Sequence, residues 1–418
     1  YLWAVPLLLP VAAGGSSRSC ARRVTWRSSE QLCMAARPKP SFDPGRRQVF
    51  VVGNEAADAD SLVTAYAIAA FLDGPDVQGV ALAQIPREEF RLRGDSLQLF
   101  KEAGSEVLED GSPVKLYFWD ELDWRAVDGL EKRGLVLTDH NKMTAQVVEH
   151  FEGRVEWVLD HHAGGGSYPD AKADIDESLG SACSLAAEKF KARGIDSMPS
   201  ELGVLLAGVI LLDTRNFNPT ENKGTPRDRA AMDSLAAFVP KIGEHAWYEQ
   251  LMHARKDVSH LSVRELMLLD TKVVSLRGLQ VAFASMMSSM PEVMAKAMGS
   301  EGFRETARSL ARDRGYKAVV CLFPKDKATG KKGLALVPLE SSEAEGALCA
   351  DLVKELLGTP GNLPAELREN PLYQTQGLVE TGFMLERLLE MEPLEAYSIK
   401  ADVSRKTLLP LAMLLSKI

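Results

Sequence analysis

Four short motifs in the first half of the 418-residue chain carry residues that can do chemistry. In chain order they read Asn54-Glu55-Ala56-Ala57-Asp58-Ala59-Asp60-Ser61, Thr138-Asp139-His140-Asn141, Leu159-Asp160-His161-His162 and Leu211-Leu212-Asp213-Thr214. The first three follow short apolar runs, and the fourth closes an apolar helix-like segment. An Asp-His-His run that ends a buried strand has three desolvated polar groups, and a metal ion supplies the partners that they need.

Together the motifs offer four aspartates and a histidine as ligands. Carboxylate oxygens and imidazole nitrogens suit Mn²⁺ or Mg²⁺ better than a metal that prefers thiolates. One bridging carboxylate with a flanking set on each side can hold two cations about 3.5–4 Å apart. The residues alone therefore predict two-metal hydrolysis of phosphoester or phosphoanhydride bonds.

Two of these motifs also have simpler interpretations. Asp60 or Ser61 can be the N-cap of the helix that follows. Asp213 can be a solvated residue at the end of its helix. However, an acid is unfavourable at the negative end of a helix dipole, so we expect a positive charge beside Asp213.

Apolar strands that alternate with helices must position the motifs. The strand-like runs are Gln48–Gly53, Val114–Phe118, Gly134–Thr138 and Val155–Leu159, and the helix-like segments are Ser61–Leu72, Ser184–Ala192 and Leu202–Leu212. This alternation predicts a doubly wound, mostly parallel α/β sheet over residues 48–245. Ligands collect at the carboxyl ends of the strands in such sheets, so we expect the motifs to converge there.

A smaller α/β domain is predicted for residues 250–418. Its helix-like stretches are Val263–Thr271 and Glu301–Asp313. The strand-like runs Lys317–Phe323 and Gly333–Pro338 flank a charged loop, which predicts a hairpin. We expect the active site in the cleft between the two domains.

Residues 1–47 differ from the rest of the chain. Leu7–Ala13 is apolar but too short to span a bilayer, and an Arg- and Ser-rich stretch with few acids follows it. The pattern predicts a leader that targets a plastid or a mitochondrion, with a disordered leader and a cytoplasmic location as the alternative. No later segment has the length of a membrane span. The net charge of −9 argues against a partner such as a nucleic-acid duplex.

The motifs and their order resemble those of the DHH phosphoesterase superfamily, and the likeness extends over residues 48–418. Asp160-His161-His162 resembles the name-giving motif, and Gly180-Ser181 matches another recurring element. The resemblance implies that Asp58 and Asp139 bind one cation, while Asp60, Asp139, His161 and Asp213 bind the other. It also implies that His162 and His140 orient the attacking water and the phosphate.

The second domain points to one branch of that superfamily. Ser404-Arg405-Lys406 resembles the signature of the C-terminal domain shared by family II pyrophosphatases, exopolyphosphatases and prune-type proteins. The fork of an arginine beside the point charge of a lysine suits a phosphate chain, so these residues are predicted to bind substrate. Arg255-Lys256-Asp257 resembles a further family element, whose bases we expect to line a channel for polyanions.

Asn54 separates the relatives within that branch. The pyrophosphatases place a histidine ligand at this point, whereas exopolyphosphatases and prune-type proteins resemble this chain in having asparagine. Ile85–Arg93 also resembles an exopolyphosphatase segment, and Arg93 is predicted to reach the substrate, with a solvated helix residue as the alternative.

The sequence therefore favours an exopolyphosphatase that uses two divalent cations, Mg²⁺ or Mn²⁺, and acts on inorganic polyphosphate. An inorganic pyrophosphatase that acts on pyrophosphate is the nearest alternative. A prune-like nucleotide phosphodiesterase or scaffold is the next one. The sequence does not set the oligomeric state.

Overall fold

A computed structural model describes residues 40–164, 166–195, 198–276, 278–339, 385–387, 395–399 and 408. Most of the predicted leader lies outside these ranges, as do Ser404, Arg405 and Lys406. The last residues of the predicted leader pack against the first domain, because Phe42 lies edge-on against Phe50 with ring centroids 5.5 Å apart.

The first domain is built on a six-stranded parallel sheet. Its strands are β1 (Arg47–Val52), β2 (Val77–Ala83), β3 (Leu116–Phe118), β4 (Gly134–Thr138), β5 (Val155–Asp160) and β6 (Lys172–Ile175). They lie in the order β3-β2-β1-β4-β5-β6. This arrangement confirms the predicted doubly wound plan, and the strand order reverses direction between the neighbours β1 and β4.

Helices cover both faces of this sheet. They are α1 (Ala59–Leu72), α2 (Gly94–Glu102), α3 (Trp124–Asp128), α4 (Ala145–Phe151), α5 (Ala182–Arg193), α6 (Ser200–Asp213), α7 (Pro226–Ser234) and α8 (Glu244–Lys256). Short 3₁₀ turns span Arg87–Leu92, Trp119–Glu121 and Ala236–Phe238. Alternate residues of β1 serve the two faces: Val49 and Val51 pack with α1, α5 and α6, whereas Phe50 and Val52 pack with α3 and α4. Burial on both faces explains why the strand reads as a continuous apolar run.

The second domain contains a mixed sheet, which also has six strands in the described part of the chain. Its strands are β7 (Thr271–Leu276), β8 (Leu279–Ser285), β9 (Ala318–Phe323), β10 (Lys332–Pro338), β11 (Leu385–Arg387) and β12 (Glu395–Ile399), in the order β11-β12-β10-β9-β8-β7. Its helices are α9 (Val263–Leu269), α10 (Met290–Lys296) and α11 (Ser300–Arg314). The pairing of β9 with β10 is antiparallel and confirms the predicted hairpin. The predicted helix over residues 263–271 is too long, because Thr271 already belongs to β7.

Among the helices of the described residues, none has the length and apolar character needed to cross a membrane.

Candidate metal centre

The first acidic motif forms a tight loop between β1 and α1. Asp58 is the N-cap of α1 and accepts a hydrogen bond from the Ser61 amide at 3.1 Å, so neither Asp60 nor Ser61 is the cap. A Cβ on Gly53 would lie 2.7 Å from the carbonyl oxygen of Ser61, which makes this close approach possible only for glycine. Ala57 has a positive φ of 48°, an uncommon conformation for a residue with a side chain.

Asp139 lies at the centre of the site, directly after β4. Its Oδ2 accepts hydrogen bonds from Asn54 Nδ2 at 2.8 Å and from Ser61 Oγ at 2.6 Å. Its Oδ1 faces His161 Nε2 at 3.2 Å, but has no hydrogen bond of good geometry among the described residues. Burial, with the charges of Asp60 and Asp58, raises the pKa of Asp139 to about 6.

Asp60 lies against the N-terminus of α5. Its carboxylate accepts hydrogen bonds from the amides of Ala182 at 2.8 Å and Cys183 at 2.9 Å, and from Ser181 Oγ at 3.0 Å. The free amides and the dipole of a helix N-terminus stabilise a negative charge there. This contact gives a physical reason for the Gly180-Ser181 element that the sequence resemblance singled out.

The Asp-His-His motif follows β5 and turns two imidazoles toward Asp139. His161 Nδ1 lies 2.9 Å from the Leu179 carbonyl oxygen, so Nδ1 carries a proton and Nε2 points at the acidic cluster. His162 Nδ1 lies 2.9 Å from Asp160 Oδ1. Ligand atoms of Asp139, His161 and His162 lie within 4.8 Å of one another, close enough to share a cation.

Asp213 closes the cluster from the last turn of α6. Its Oδ2 is buried without a hydrogen-bond partner among the described residues. The positive charge that we expected beside it is Arg255 of α8, whose Nη2 lies 3.9 Å from Asp213 Oδ1 and whose Nε donates to Asp95 Oδ2 at 2.5 Å. Arg255 is therefore tied to two aspartates of the first domain, and the channel for polyanions stays a prediction. Burial, with the charges of Asp60 and Asp58, raises the pKa of Asp213 well above its usual range.

The donor set fits a hard divalent cation. Asp58, Asp60, Asp139 and Asp213 act on one another electrostatically, and oxygens of Asp139 and Asp213 are buried without good hydrogen bonds in the described part of the chain. Such oxygens are costly unless a cation coordinates them. The structure brings together all five residues predicted to bind metal, and their assignment to individual ions stays a prediction.

A cavity of about 230 Å³ opens in front of the cluster, between the two domains. It is lined by Asn54, Glu55, Asp139, His140, Asn141, Lys142, His162 and Lys272. Lys272 comes from β7 of the second domain, and sequence reasoning missed it because a single lysine at the start of a strand has no distinctive pattern. His140 Nδ1 lies 2.9 Å from the Thr138 carbonyl oxygen, and burial lowers the pKa of His140 to about 4, so its ring is neutral at pH 7.

Arg93 lies behind the first acidic loop. Its side chain is buried, and its guanidinium donates to three backbone carbonyl groups. The three partners of Arg93 in this structure are backbone groups of the protein itself. The contact between Arg93 and the substrate stays a prediction. The second domain approaches the cluster through Lys272, while the predicted phosphate clamp at Ser404, Arg405 and Lys406 lies outside the described residues.

Two family models match the two domains. The DHH family, N-terminal domain, matches residues 48–211, and the DHHA2 domain matches residues 249–414. The chain therefore joins a DHH N-terminal domain to a DHHA2 domain.

The relatives of the chain include exopolyphosphatases and pyrophosphatases. Exopolyphosphatase PRUNE1 of Rattus norvegicus is 28% identical over 278 residues, which are 65% of this chain and 58% of that protein. A Schizosaccharomyces pombe protein assigned as an exopolyphosphatase is 28% identical over 275 residues, 63% of this chain and 68% of that one. A Lactobacillus helveticus protein named as a manganese-dependent inorganic pyrophosphatase is 24% identical over 278 residues, 65% of this chain and 80% of that one.

These similarities confirm the resemblance to the exopolyphosphatase and prune-type branch. The match to the rat protein extends over 58% of that protein's length. A crystal structure from Methanococcus jannaschii, assigned to a family II inorganic pyrophosphatase, shares the fold. Its TM-score is 0.56 at 17% identity, and the match covers 88% of this chain and 100% of that one.

Proposed function

We propose that this protein is an exopolyphosphatase, which hydrolyses the terminal phosphoanhydride bond of inorganic polyphosphate with the help of divalent cations. The observation that carries the proposal is the electrostatic cluster of four aspartates and His161, next to a cavity that a lysine of the second domain also lines. The names of the rat and S. pombe relatives support the same activity.

The contacts of Asn54 favour polyphosphate over pyrophosphate. Its amide nitrogen donates to Asp139 Oδ2, and its amide oxygen accepts from the Ala56 amide at 2.8 Å. Both ends of the side chain are therefore occupied by the protein, and Asn54 orients Asp139. A pyrophosphatase of this family is expected to have a histidine ligand at the same place, so this chain offers one imidazole fewer to the cations.

Five residues would hold the cations: Asp58, Asp60, Asp139, His161 and Asp213. Divalent cations held there would supply an activated water molecule and would screen the charge of the phosphoryl group.

The remaining groups of the cavity position the substrate. Asp160 holds the Nδ1 side of His162, which leaves Nε2 to exchange a proton in the cavity. In neutral His140 the proton is on Nδ1, so Nε2 can accept a hydrogen bond from a water molecule; it has no hydrogen-bond partner among the described residues. Lys272 supplies a positive charge for the phosphate, and Arg405 with Lys406 is proposed to hold the departing chain.

The first experiment is to measure phosphate release by the full chain. Long-chain polyphosphate, tripolyphosphate, pyrophosphate and a cyclic nucleotide are each compared with Mg²⁺ and with Mn²⁺. We expect rapid release from the long chain and poor use of pyrophosphate. Faster use of pyrophosphate would instead identify a pyrophosphatase, the second candidate, which the L. helveticus relative favours.

A matched pair of variants tests the site itself. Asp213→Asn removes a predicted ligand with almost no change of shape, and we expect turnover to fall by at least about 100-fold. Asp170→Asn makes the same change at an exposed aspartate outside the cluster, and its turnover should equal that of the wild type. Normal turnover by Asp213→Asn would show that the metal assignment is wrong.

A further inference from the structure

The 3₁₀ turn Arg87–Leu92 connects the acidic loop of the first domain to the second domain. Two of its side chains form ion pairs with second-domain residues: Glu89 with Arg314 of α11, and Arg91 with Glu265 of α9. Glu89 is buried, whereas Arg91 is exposed. The pair made by Glu89 is therefore the one that solvent screens less.

Arg93, directly after this turn, holds the acidic loop from behind. Its Nε donates to the carbonyl oxygen of Ala57 at 2.5 Å, and Nη2 donates to that of Ala56 at 2.5 Å. Its Nη1 donates to the carbonyl oxygen of Glu89 at 2.8 Å. Only 4% of Arg93 is exposed. A planar fork of donors is suited to such a three-point contact, and a lysine is not.

The two carbonyl groups that Arg93 holds belong to the residues directly before Asp58. Ala57 has a positive φ of 48°, so the surrounding contacts must maintain its backbone against a steric cost. These peptide groups lead into Asp58, whose carboxylate caps α1 by accepting from the Ser61 amide and acts electrostatically on Asp139. Arg93 thus fixes the first ligand of the proposed metal centre through the backbone.

Glu89 joins the two sets of contacts. Its backbone carbonyl group accepts from Arg93, and its carboxylate pairs with Arg314 of the second domain. Without the ion pair, the Glu89 side chain no longer contacts Arg314. We then expect the Glu89 backbone to move more freely and its carbonyl oxygen to hold Arg93 less firmly. A chain of direct contacts therefore connects Arg314 of the second domain, through Glu89 and Arg93, to the acidic loop.

We propose that Arg93 is a positioning residue that makes cation binding at the first acidic loop depend on the docking of the second domain, through Glu89 and Arg314. The proposal rests on the proposed metal centre but does not require any particular substrate. It assigns to Arg93 a role in cation affinity and not in contact with the phosphate chain.

Calorimetric titration of the full chain with Mn²⁺, without substrate, tests the proposal. Arg93→Met removes all three donors, and we expect the dissociation constant for Mn²⁺ to rise about 10- to 100-fold, the usual effect of losing a group that orients a ligand. Arg93→Lys keeps the charge but not the fork, and should restore only part of the affinity. Arg314→Met should weaken Mn²⁺ binding about threefold or more, although this arginine lies in the other domain.

Arg264→Met is the matched control. Arg264 forms an ion pair with Asp313 at 2.9 Å, and both residues belong to the second domain. Its substitution removes one arginine and one ion pair without touching Glu89, so Mn²⁺ affinity should equal that of the wild type. Thermal unfolding without Mn²⁺ separates a general loss of stability from a loss of affinity.

Three results would overturn the proposal. The first is a wild-type Mn²⁺ affinity in Arg93→Lys and in Arg314→Met. The second is equal weakening by Arg264→Met and Arg314→Met, which would indicate general destabilisation. The third is an increased KM for polyphosphate in Arg93→Lys with unchanged Mn²⁺ affinity, which would show a direct substrate contact. A wild-type protein that binds Mn²⁺ but releases no phosphate would refute the proposed function and leave this inference supported by its own titrations.

Discussion

Replacing Asp139 with asparagine tests whether the acidic cluster is held under electrostatic repulsion that cations relieve. Asp139 has a positive φ of 59°, a conformation that asparagine tolerates well. The amide oxygen of asparagine can accept the hydrogen bonds that Asn54 and Ser61 donate to Asp139 Oδ2. The substitution therefore removes a charge while keeping the shape and the backbone.

The pKa of Asp139 gives the size of the expected effect. Burial and the charges of Asp60 and Asp58 raise it from 3.8 to about 6. At 1.36 kcal/mol per pKa unit, the ionised carboxylate costs the metal-free fold about 3 kcal/mol. Because the folded-state pKa is the higher one, stability is lost as the pH rises from about 4 to about 6, and the full cost is present at pH 7. Asp139→Asn should therefore be more stable than the wild type at pH 7 without metal, by up to about 3 kcal/mol, and equally stable near pH 4.

Urea unfolding at both pH values measures this difference, first with a chelator and then with Mn²⁺. A cation at 100 times its dissociation constant stabilises the wild type by about 2.7 kcal/mol. The variant should gain much less, because the carboxylate charge that attracts the cation is gone. If the metal-free variant is less stable than the wild type at pH 7, or if Mn²⁺ stabilises both proteins equally, the repulsion argument is wrong.

Three further predictions concern the same cavity. Burial lowers the pKa of His161, but hydrogen bonding and the charges of neighbouring carboxylates raise it to about 10, so Mn²⁺ binding at pH 7 should release at least about one proton, measured by calorimetry in two buffers of different ionisation enthalpy. Lys272→Met should raise the KM for polyphosphate about tenfold and leave Mn²⁺ affinity unchanged, because the lysine faces the cavity and is no ligand. Gly53→Ala should lower turnover more than about tenfold, because its Cβ would displace Ser61, a hydrogen-bond donor to Asp139.

Each of these predictions has a result that contradicts it. Heats of Mn²⁺ binding that do not depend on the buffer would mean that His161 is already neutral or is not a ligand. Weaker Mn²⁺ binding by Lys272→Met would show that the lysine affects cation affinity and not only substrate binding. Normal turnover in Gly53→Ala would show that the loop has room to relax.

The sequence predicted the central strands of the first domain well, because β1, β4 and β5 are short apolar runs buried on both faces. It did not predict β2, whose first three residues are only half-buried and include a glutamine and a glycine. It also extended α9 to Thr271, which instead pairs with Ala284 of β8. In both places strand pairing with distant residues, and not local pattern, decided the outcome.

The candidate site shows the same limit. The aspartates that follow strands were predictable, because the carboxyl ends of parallel strands meet at one edge. The sequence predicted a positive charge beside Asp213 but did not identify it as Arg255, which lies 42 positions later in the chain. Lys272 is brought to the cavity by the packing of the second domain. A sequence motif indicates which groups are ligands, whereas their electrostatic partners come from elements that meet only in the fold.

The arginines behind the acidic cluster and the lysine in front of it have different roles. Arg93 is occupied by backbone carbonyl groups and Arg255 by Asp95, so neither is free to neutralise the aspartates fully. Their guanidinium groups fix the positions of acids that would otherwise move apart. Lys272 lines the cavity in front of the cluster, where its ammonium group can bind a phosphate. Since the acids keep part of their repulsion, we expect cations to gain binding energy from relieving it.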